Sequence, residues 1–216
     1  MAFTGQLYRE GLVVDRDMKK AIGLYQSAYD KGVHYSARIL GEIYESGISI
    51  EKDFAKAREW YEKADSHNDR VAQFNLGSMY IRGQGVDVNA ELGLKYIKKS
   101  AQQDYLWAQY NLGIMYYYGK LTEVDEEKGL EWLEKAAKQG MRKACYSLGL
   151  IYSKTKDKDL KHRGIAWFRM AKFRGHPKAQ TKIQKFEAEQ SVEIVVQGNE
   201  LYEELKETYE ESKKKG

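Results

Sequence analysis

The sequence predicts an all-α fold, an α/α solenoid wound as a right-handed superhelix of about five helix pairs plus a capping helix. Three observations carry that expectation. Glycine recurs at Gly5, Gly41, Gly77, Gly113 and Gly149, always at a step of 36 residues. A tyrosine follows each glycine in step, at Tyr8, Tyr44, Tyr80, Tyr116 and Tyr152. A third series, Asp17, Asp53, Asn89 and Asp125, keeps the same step. A fixed period of about 20–50 residues means stacked repeats, each too small to bury its apolar face alone.

Each period holds two helices. The first, helix A, is clearest at 108–119, AQYNLGIMYYYG; 72–83 reads AQFNLGSMYIRG, 36–47 SARILGEIYESG and 144–154 ACYSLGLIYSK. Ala108, Leu112, Met115 and Tyr116 fall on one face at helical spacing. Gly113 shares that face, where a missing side chain lets another helix approach. Gly11, Gly47, Gly83 and Gly119 follow as left-handed C-terminal caps.

Short loops come next: LVVDR, ISIEK, QGVDV and KLTEV. Asp17, Asp53, Asn89 and Asp125 then cap helix B, their side chains accepting from orphan backbone N–H groups. The inner face of helix B reads Ala21, Leu24, Tyr25 and Ala28; then Ala57, Trp60, Tyr61 and Ala64; later Gly129, Trp132, Leu133 and Ala136. Gly32, Asn68, Asp104, Gly140 and Gly175 end it, Gly and Asn tolerating the left-handed conformation most readily.

The fourth loop, SKTKDKDLKHR, is one residue short and has Thr155 where the capping glycine stood, so an irregular connection is expected. A further helix A begins near Pro177, which suits a first helical turn, and carries Ala179, Ile183 and Phe186. Val192, Val195, Val196, Asn199, Tyr202, Leu205 and Tyr209 then run at helical spacing among glutamates, as a capping helix should. The final KKKG reads as frayed. Met1 falls inside the first helix A, so that end carries no cap. The expected division is a solenoid over 1–186, with repeats near 1–35, 36–71, 72–107, 108–143 and 144–178 and a partial repeat at 179–186. An acidic capping helix and tail follow at 187–216.

Composition agrees. Of 216 residues, 42% are hydrophobic and 31% charged, and one is proline, Pro177, which suits a helix-rich chain. No apolar run has the length of a membrane span, and MAFTGQLYREG has no basic start followed by an apolar core, as a secretory leader would. The single cysteine, Cys145, excludes an internal disulfide framework. Together these point to the cytoplasm. The net charge of +4 is strongly segregated. Over 142–185 thirteen Lys and Arg stand against two Asp and Glu, a net of +11; from Phe186 onward four stand against nine, a net of −5.

The pattern A-x-x-N-L-G-x-M-Y-x-x-G-x-G-V-x-x-[DN], met closely by Ala72 to Asn89, together with the A…WY..A of Ala57, Trp60, Tyr61 and Ala64, resembles the Sel1-like repeat family. The resemblance covers roughly Ala2 to Lys185; Gly93, Gly129 and Gly164 depart from its alanine early in helix B. The family is an α/α solenoid related to the tetratricopeptide repeat. The resemblance implies an adaptor, scaffold or regulatory protein, including immunity proteins that sequester one cognate protein. Some secreted members with paired cysteines are linked to β-lactam binding; this chain has no such pairs, so that activity is not carried over.

In the related tetratricopeptide solenoids helix A lines the concave groove. Counted from the glycine pivot, groove positions are −6, −3, +1, +4 and +5. They select Arg38 and Glu42 in one repeat, then Phe74, Ile81 and Arg82. The next gives Trp107, Tyr110, Ile114, Tyr117 and Tyr118, and the last Lys143, Tyr146 and Leu150. An aromatic centre with charges toward both ends suits a protein or peptide with apolar anchors. Phe74, Tyr110 and Tyr146 also suit plain packing between repeats. The alternative is a nucleic-acid or acidic-partner surface at Lys143, Lys154, Lys156, Lys158, Lys161, Arg163 and Arg169. That block could instead be neutralised by Glu200, Glu203, Glu204, Glu207, Glu210 and Glu211.

No catalytic constellation is visible, so no enzyme, cofactor or metal is expected. His34, His67, His162 and His176 fall in loops or at helix ends, without metal-ligand spacing. Cys145 reads as a small hydrophobe. The GQG at 83–85 lacks the Lys-Ser/Thr that a phosphate loop needs.

Overall fold

The computed structural model describes residues 1–11 and 13–214. Leu12 of the first loop, and Lys215 and Gly216 of the terminal KKKG, lie outside the described residues. The helices are α1 (Ala2–Glu10), α2 (Met18–Asp30), α3 (Tyr35–Ser46), α4 (Phe54–Asp65), α5 (Arg70–Arg82), α6 (Ala90–Gln102), α7 (Leu106–Tyr118), α8 (Glu126–Lys138), α9 (Arg142–Lys154), α10 (Lys161–Phe173), α11 (Ala179–Glu187) and α12 (Val192–Lys214). No strand occurs among the described residues. No described helix is long and apolar enough to cross a membrane.

The punctuation residues do what their chemistry allows. Gly11, Gly47, Gly83 and Gly119 end the A helices at φ between 66 and 70°. Asn68 and Asp104 take φ of 62 and 57° at the ends of B helices, where other repeats place glycine. Asp17, Asp53, Asn89 and Asp125 each accept from a backbone N–H three residues on, at 2.9 Å. The same four residues donate their own N–H to the carbonyls of Tyr8, Tyr44, Tyr80 and Tyr116, at 2.9–3.0 Å. The repeated tyrosine therefore fixes the start of helix B through its backbone. Its ring then serves as a lid: Lys20, Lys56 and Lys128 lie over Tyr8, Tyr44 and Tyr116, whereas Tyr80 stacks on Tyr96 at 5.8 Å.

The chain forms two compact units, Met1–Ala108 and Gln109–Gly216, with the division inside α7. In the first unit, one apolar cluster joins Met18, Ala21 and Tyr25 of α2 to Leu40 and Ile43 of α3. The next joins Ala37 of α3, Ala57, Tyr61 and Ala64 of α4, and Ala72, Leu76 and Met79 of α5. A buried amide network supports it: Gln73, fully buried, donates to Asp65 at 2.8 Å and accepts from Gln103 at 2.5 Å. In the second unit Gln139 donates to the equally buried Gln109 at 2.8 Å. A buried amide needs such a partner, since leaving it unpaired costs about 1–3 kcal/mol.

The second unit also holds the irregular stretch. Helix α9 ends at Thr155 in extended backbone, and a 3-10 turn spans Lys158–Leu160 before α10. Pro177 lies in the turn ahead of α11 rather than in its first turn, because α11 begins at Ala179. Ile165 and Phe168 of α10 pack with Ile183 and Phe186 of α11, and Ile194 and Val195 of α12 lean on that cluster. Most of the expected face of α12 docks, with Val195, Asn199, Tyr202 and Leu205 half-buried. Gly198 and Tyr209 are buried, while Val192 is 80% exposed and Val196 47%.

Candidate functional site

Cutting the A helices at each offset from the pivot glycine sorts the expected groove residues by what they touch. The −3 column joins successive repeats. Arg38 donates to Asp69 at 3.3 Å. Phe74 meets Tyr105 edge to face at 5.3 Å. Tyr146 stacks on His176 with ring centres 4.0 Å apart. Each partner stands 30 or 31 residues later, near the start of the next A helix. Tyr110 adds a hydrogen bond between its hydroxyl and that of Ser147, 3.3 Å apart. These side chains are half-buried, and their first duty is to hold neighbouring repeats in register.

The +4 column lies on the seam with the repeat's own helix B. A Cβ on Gly93 would stand 2.6 Å from Ile81 Cγ1, and a Cβ on Gly129 would stand 2.7 Å from the Tyr117 backbone nitrogen. The glycines that depart from the family alanine are thus required by these close crossings. Glu45, in the same column, accepts from the buried Tyr61 hydroxyl at 2.6 Å. That bond and burial hold the phenol well above its ordinary range, burial being the larger cause.

The remaining positions open outward. Trp107 at −6 is 40% exposed and Tyr118 at +5 is 55% exposed, both on α7. Tyr118 meets Tyr117 edge to face at 5.0 Å. Ile114 and Leu150 at +1 are half-buried, Leu150 leaning on the Ile165–Phe168 cluster. Arg82, Lys143 and Lys154 are exposed at the ends of their helices. Arg38 and Glu42 form an ion pair at 2.6 Å, so their charges answer each other and Asp69 before any partner.

The glutamates of α12 turn away from the lysines of the fourth loop. Arg169 pairs with Glu187 at 2.7 Å. Among the described residues, none of Glu200, Glu203, Glu204, Glu207, Glu210 or Glu211 forms an ion pair with Lys154, Lys156, Lys158 or Lys161, and all six are exposed. Helix α12 docks on α10 by apolar and aromatic contact instead. A Cβ on Gly198 would stand 2.7 Å from Ile165 Cβ, and Arg174 lies 4.0 Å over the Tyr209 ring.

Among the described residues no group of three or more His, Cys, Asp and Glu is placed to hold a metal. His34 and His67 stack on each other at 3.5 Å, and His176 on Tyr146. Cys145 is fully buried at the position that Gln73 and Gln109 hold in other repeats, and burial pushes its thiol up to about 12. The thiolate is the nucleophile, so the folded protein should be inert to a disulfide reagent such as Ellman's at pH 8. Reaction is expected to appear only with unfolding in urea. Rapid labelling of the native protein would contradict this account of the site.

Comparison with known proteins follows the same repeats. The Sel1 repeat profile matches residues 1–33, 34–66, 70–105, 108–141 and 142–176. No curated protein gives a significant match. Among solved structures, a Sel1 repeat protein from Oxalobacter formigenes is 26% identical with a TM-score of 0.72, over 83% of this chain and 74% of that one. The protective antigen c5321 of uropathogenic Escherichia coli, which displays an SLR fold, is 24% identical with a TM-score of 0.54, over 96% of this chain and 53% of that one. The immunity protein Pa5087 of Pseudomonas aeruginosa is 21% identical with a TM-score of 0.57, over 95% and 83%. Sel1 repeats are generally protein–protein interaction modules and typically non-catalytic. With five repeats matched along most of its length, and their caps and crossing glycines in place, the chain belongs to the Sel1 repeat family.

Proposed function

We propose that this protein is a non-catalytic adaptor, scaffold or regulator that binds one protein or peptide partner on the outward face of its A helices. One observation carries the reading. Helix α7 buries Ala108 and Leu112 on its inner side yet holds Trp107 and Tyr118 40% and 55% exposed on its outer side. Tyr117 and Ile114 stand half-buried between them. Large aromatic side chains left outward on a helix already packed on its other side are the usual anchors of a protein interface. In the second unit Tyr110 and Tyr146 stand half-buried in the register column, and Lys143 is exposed near the start of α9. An immunity-type protein that sequesters a single cognate protein is one concrete form of this reading; the likeness to Pa5087 lies in the fold.

The test is affinity capture from the native host with wild type and with Tyr117→Ala/Tyr118→Ala. Alanine keeps the Cβ that sits against Gly129, so the helix crossing survives the substitution. Partner recovery is expected to fall by at least tenfold, on the order of the loss of one interface hot spot. Equal recovery from a variant of unchanged helicity would remove the face from consideration.

A further inference from the structure

We infer that the partner presents an acidic amphipathic segment, with apolar anchors flanked by Asp and Glu, to the A-helix face of the second unit. The inference rests on the groove reading above and adds the partner's chemistry to it. On the first unit's A helices Arg38 is paired with Glu42 and Asp69, and Glu45 is bonded to the Tyr61 hydroxyl, which leaves Arg82 as a lone exposed cation at a groove position. The second unit differs. Its outward A-helix positions carry Lys143 and Lys154 on α9. In the register of Lys143 and Leu150, 35 residues on, fall Lys178 just ahead of α11 and Lys185 within it. Ala179, Ile183 and Phe186 turn inward from α11, which leaves Lys178, Lys182 and Lys185 exposed.

No carboxylate among the described residues forms an ion pair with Lys154, Lys178, Lys182 or Lys185. The acids that could have done so are on α12, which sits against α10 and turns its glutamates to solvent. The local field is positive enough to be felt by a neighbour. His176 is held below its ordinary range, first by burial and then by the charges of Arg142, Lys178 and Lys143. A face on which Lys154, Lys178, Lys182 and Lys185 form no ion pair selects an oppositely charged ligand and repels others.

A protein segment fits this face better than nucleic acid. On the A helices of the second unit Tyr146 is stacked by His176 and Tyr117 is half-buried against Tyr118, so Tyr118 stands as a single exposed ring and not as a row for successive bases to stack on. Half-buried Ile114 and Leu150 offer footing for apolar side chains between the lysines. An amphipathic helix or strand with acidic flanks would satisfy both features at once.

The probes are two synthetic 20-residue amphipathic peptides with the same Leu/Phe face, one with Glu and one with Lys on its polar face, and a 20-nucleotide single strand of DNA. Binding is read by fluorescence anisotropy at low and at physiological salt. The Glu peptide is expected to bind at least tenfold tighter than the Lys peptide and to weaken as salt rises. Lys154→Gln/Lys178→Gln/Lys185→Gln, all at exposed positions, should erase that preference while leaving helicity and Tm unchanged. Equal binding of both peptides would keep the groove reading and overturn the acidic partner. Tighter binding of the DNA would also overturn it. Binding of no peptide would overturn both readings together.

Discussion

Gly113→Ala is expected to cost the second unit about 2–3 kcal/mol, near the top of the usual range for overpacking. The same replacement at Gly23 should stabilise the first unit by about 0.5–1 kcal/mol, the helix propensity of alanine over glycine. The two sites share a residue type and a helical backbone and differ only in surroundings. A Cβ on Gly113 would stand 2.8 Å from Leu133 Cγ and 2.9 Å from both the Gly129 carbonyl oxygen and the Leu133 backbone nitrogen. Two of those three neighbours are backbone, so α7 and α8 would have to separate. Around Gly23 in α2 nothing lies within 4 Å. Urea denaturation monitored by circular dichroism, with hydrogen exchange to assign each transition to its unit, reads both effects. A neutral Gly113→Ala would mean that the α7–α8 crossing has slack, and the explanation of the repeated pivot glycine would fall.

The pivot also shows why the repeat was legible. A glycine at a helix crossing, a left-handed cap and an aspartate N-cap are each dictated by local backbone chemistry, so they recur at one step. Gly47, Gly83 and Gly119, with Asp53, Asn89 and Asp125, mark helix ends within a residue of where the structure puts them. The helix B glycines were harder to read. Gly93 and Gly129 look like departures from alanine until their crossing partners are known. Where helix B offers Ala21 or Ala57, the pivot faces the ring of Tyr25 or Tyr61; where it offers Gly93 or Gly129, the helices close until backbone meets backbone beside Ile97 or Leu133. That exchange couples residues across two helices and leaves no periodic mark on either alone.

The candidate site was only partly legible for the same reason. Position −3 reads in the sequence as either groove or packing between repeats, and in the structure it reaches forward to the start of the next A helix. The partners there are Asp69, Tyr105 and His176, three unrelated residue types doing one job by an ion pair, an edge-on contact and a stack. Pattern reading needs similar residues at equal steps, and this column supplies the step without the similarity. Tyr118 and Trp107 stand out in the sequence because they break the repeat, and both are exposed on α7. The charge of the tail misled in another way: an acidic stretch beside a basic one in sequence suggests neutralisation, but α12 presents its glutamates to water.

Removal of α12 is the second large effect, and it follows from that docking. A chain ending at Gln190 is expected to lose about 4 kcal/mol from the second unit, since each apolar side chain taken from water contributes about 1.5–3 kcal/mol. Tyr209 is 8% exposed and sits under Arg174, while Ile194 and Val195 lean on the core that holds Ile165 and Phe168. Ile165, fully buried in the intact protein, would lose the Gly198 backbone that covers it. A point substitution separates docking from mere chain length. Gly198→Leu leaves every other residue of α12 in place, but its side chain would enter the space held by Ile165 and by the His162 carbonyl oxygen, 2.7 and 2.9 Å from the new Cβ. Both variants should lower Tm and raise hydrogen exchange along α10, with α2–α5 unaffected. If Gly198→Leu leaves α10 protected, the helix is not held by this contact. If the truncated chain also keeps its Tm, α12 is no cap, and the second unit is complete without it.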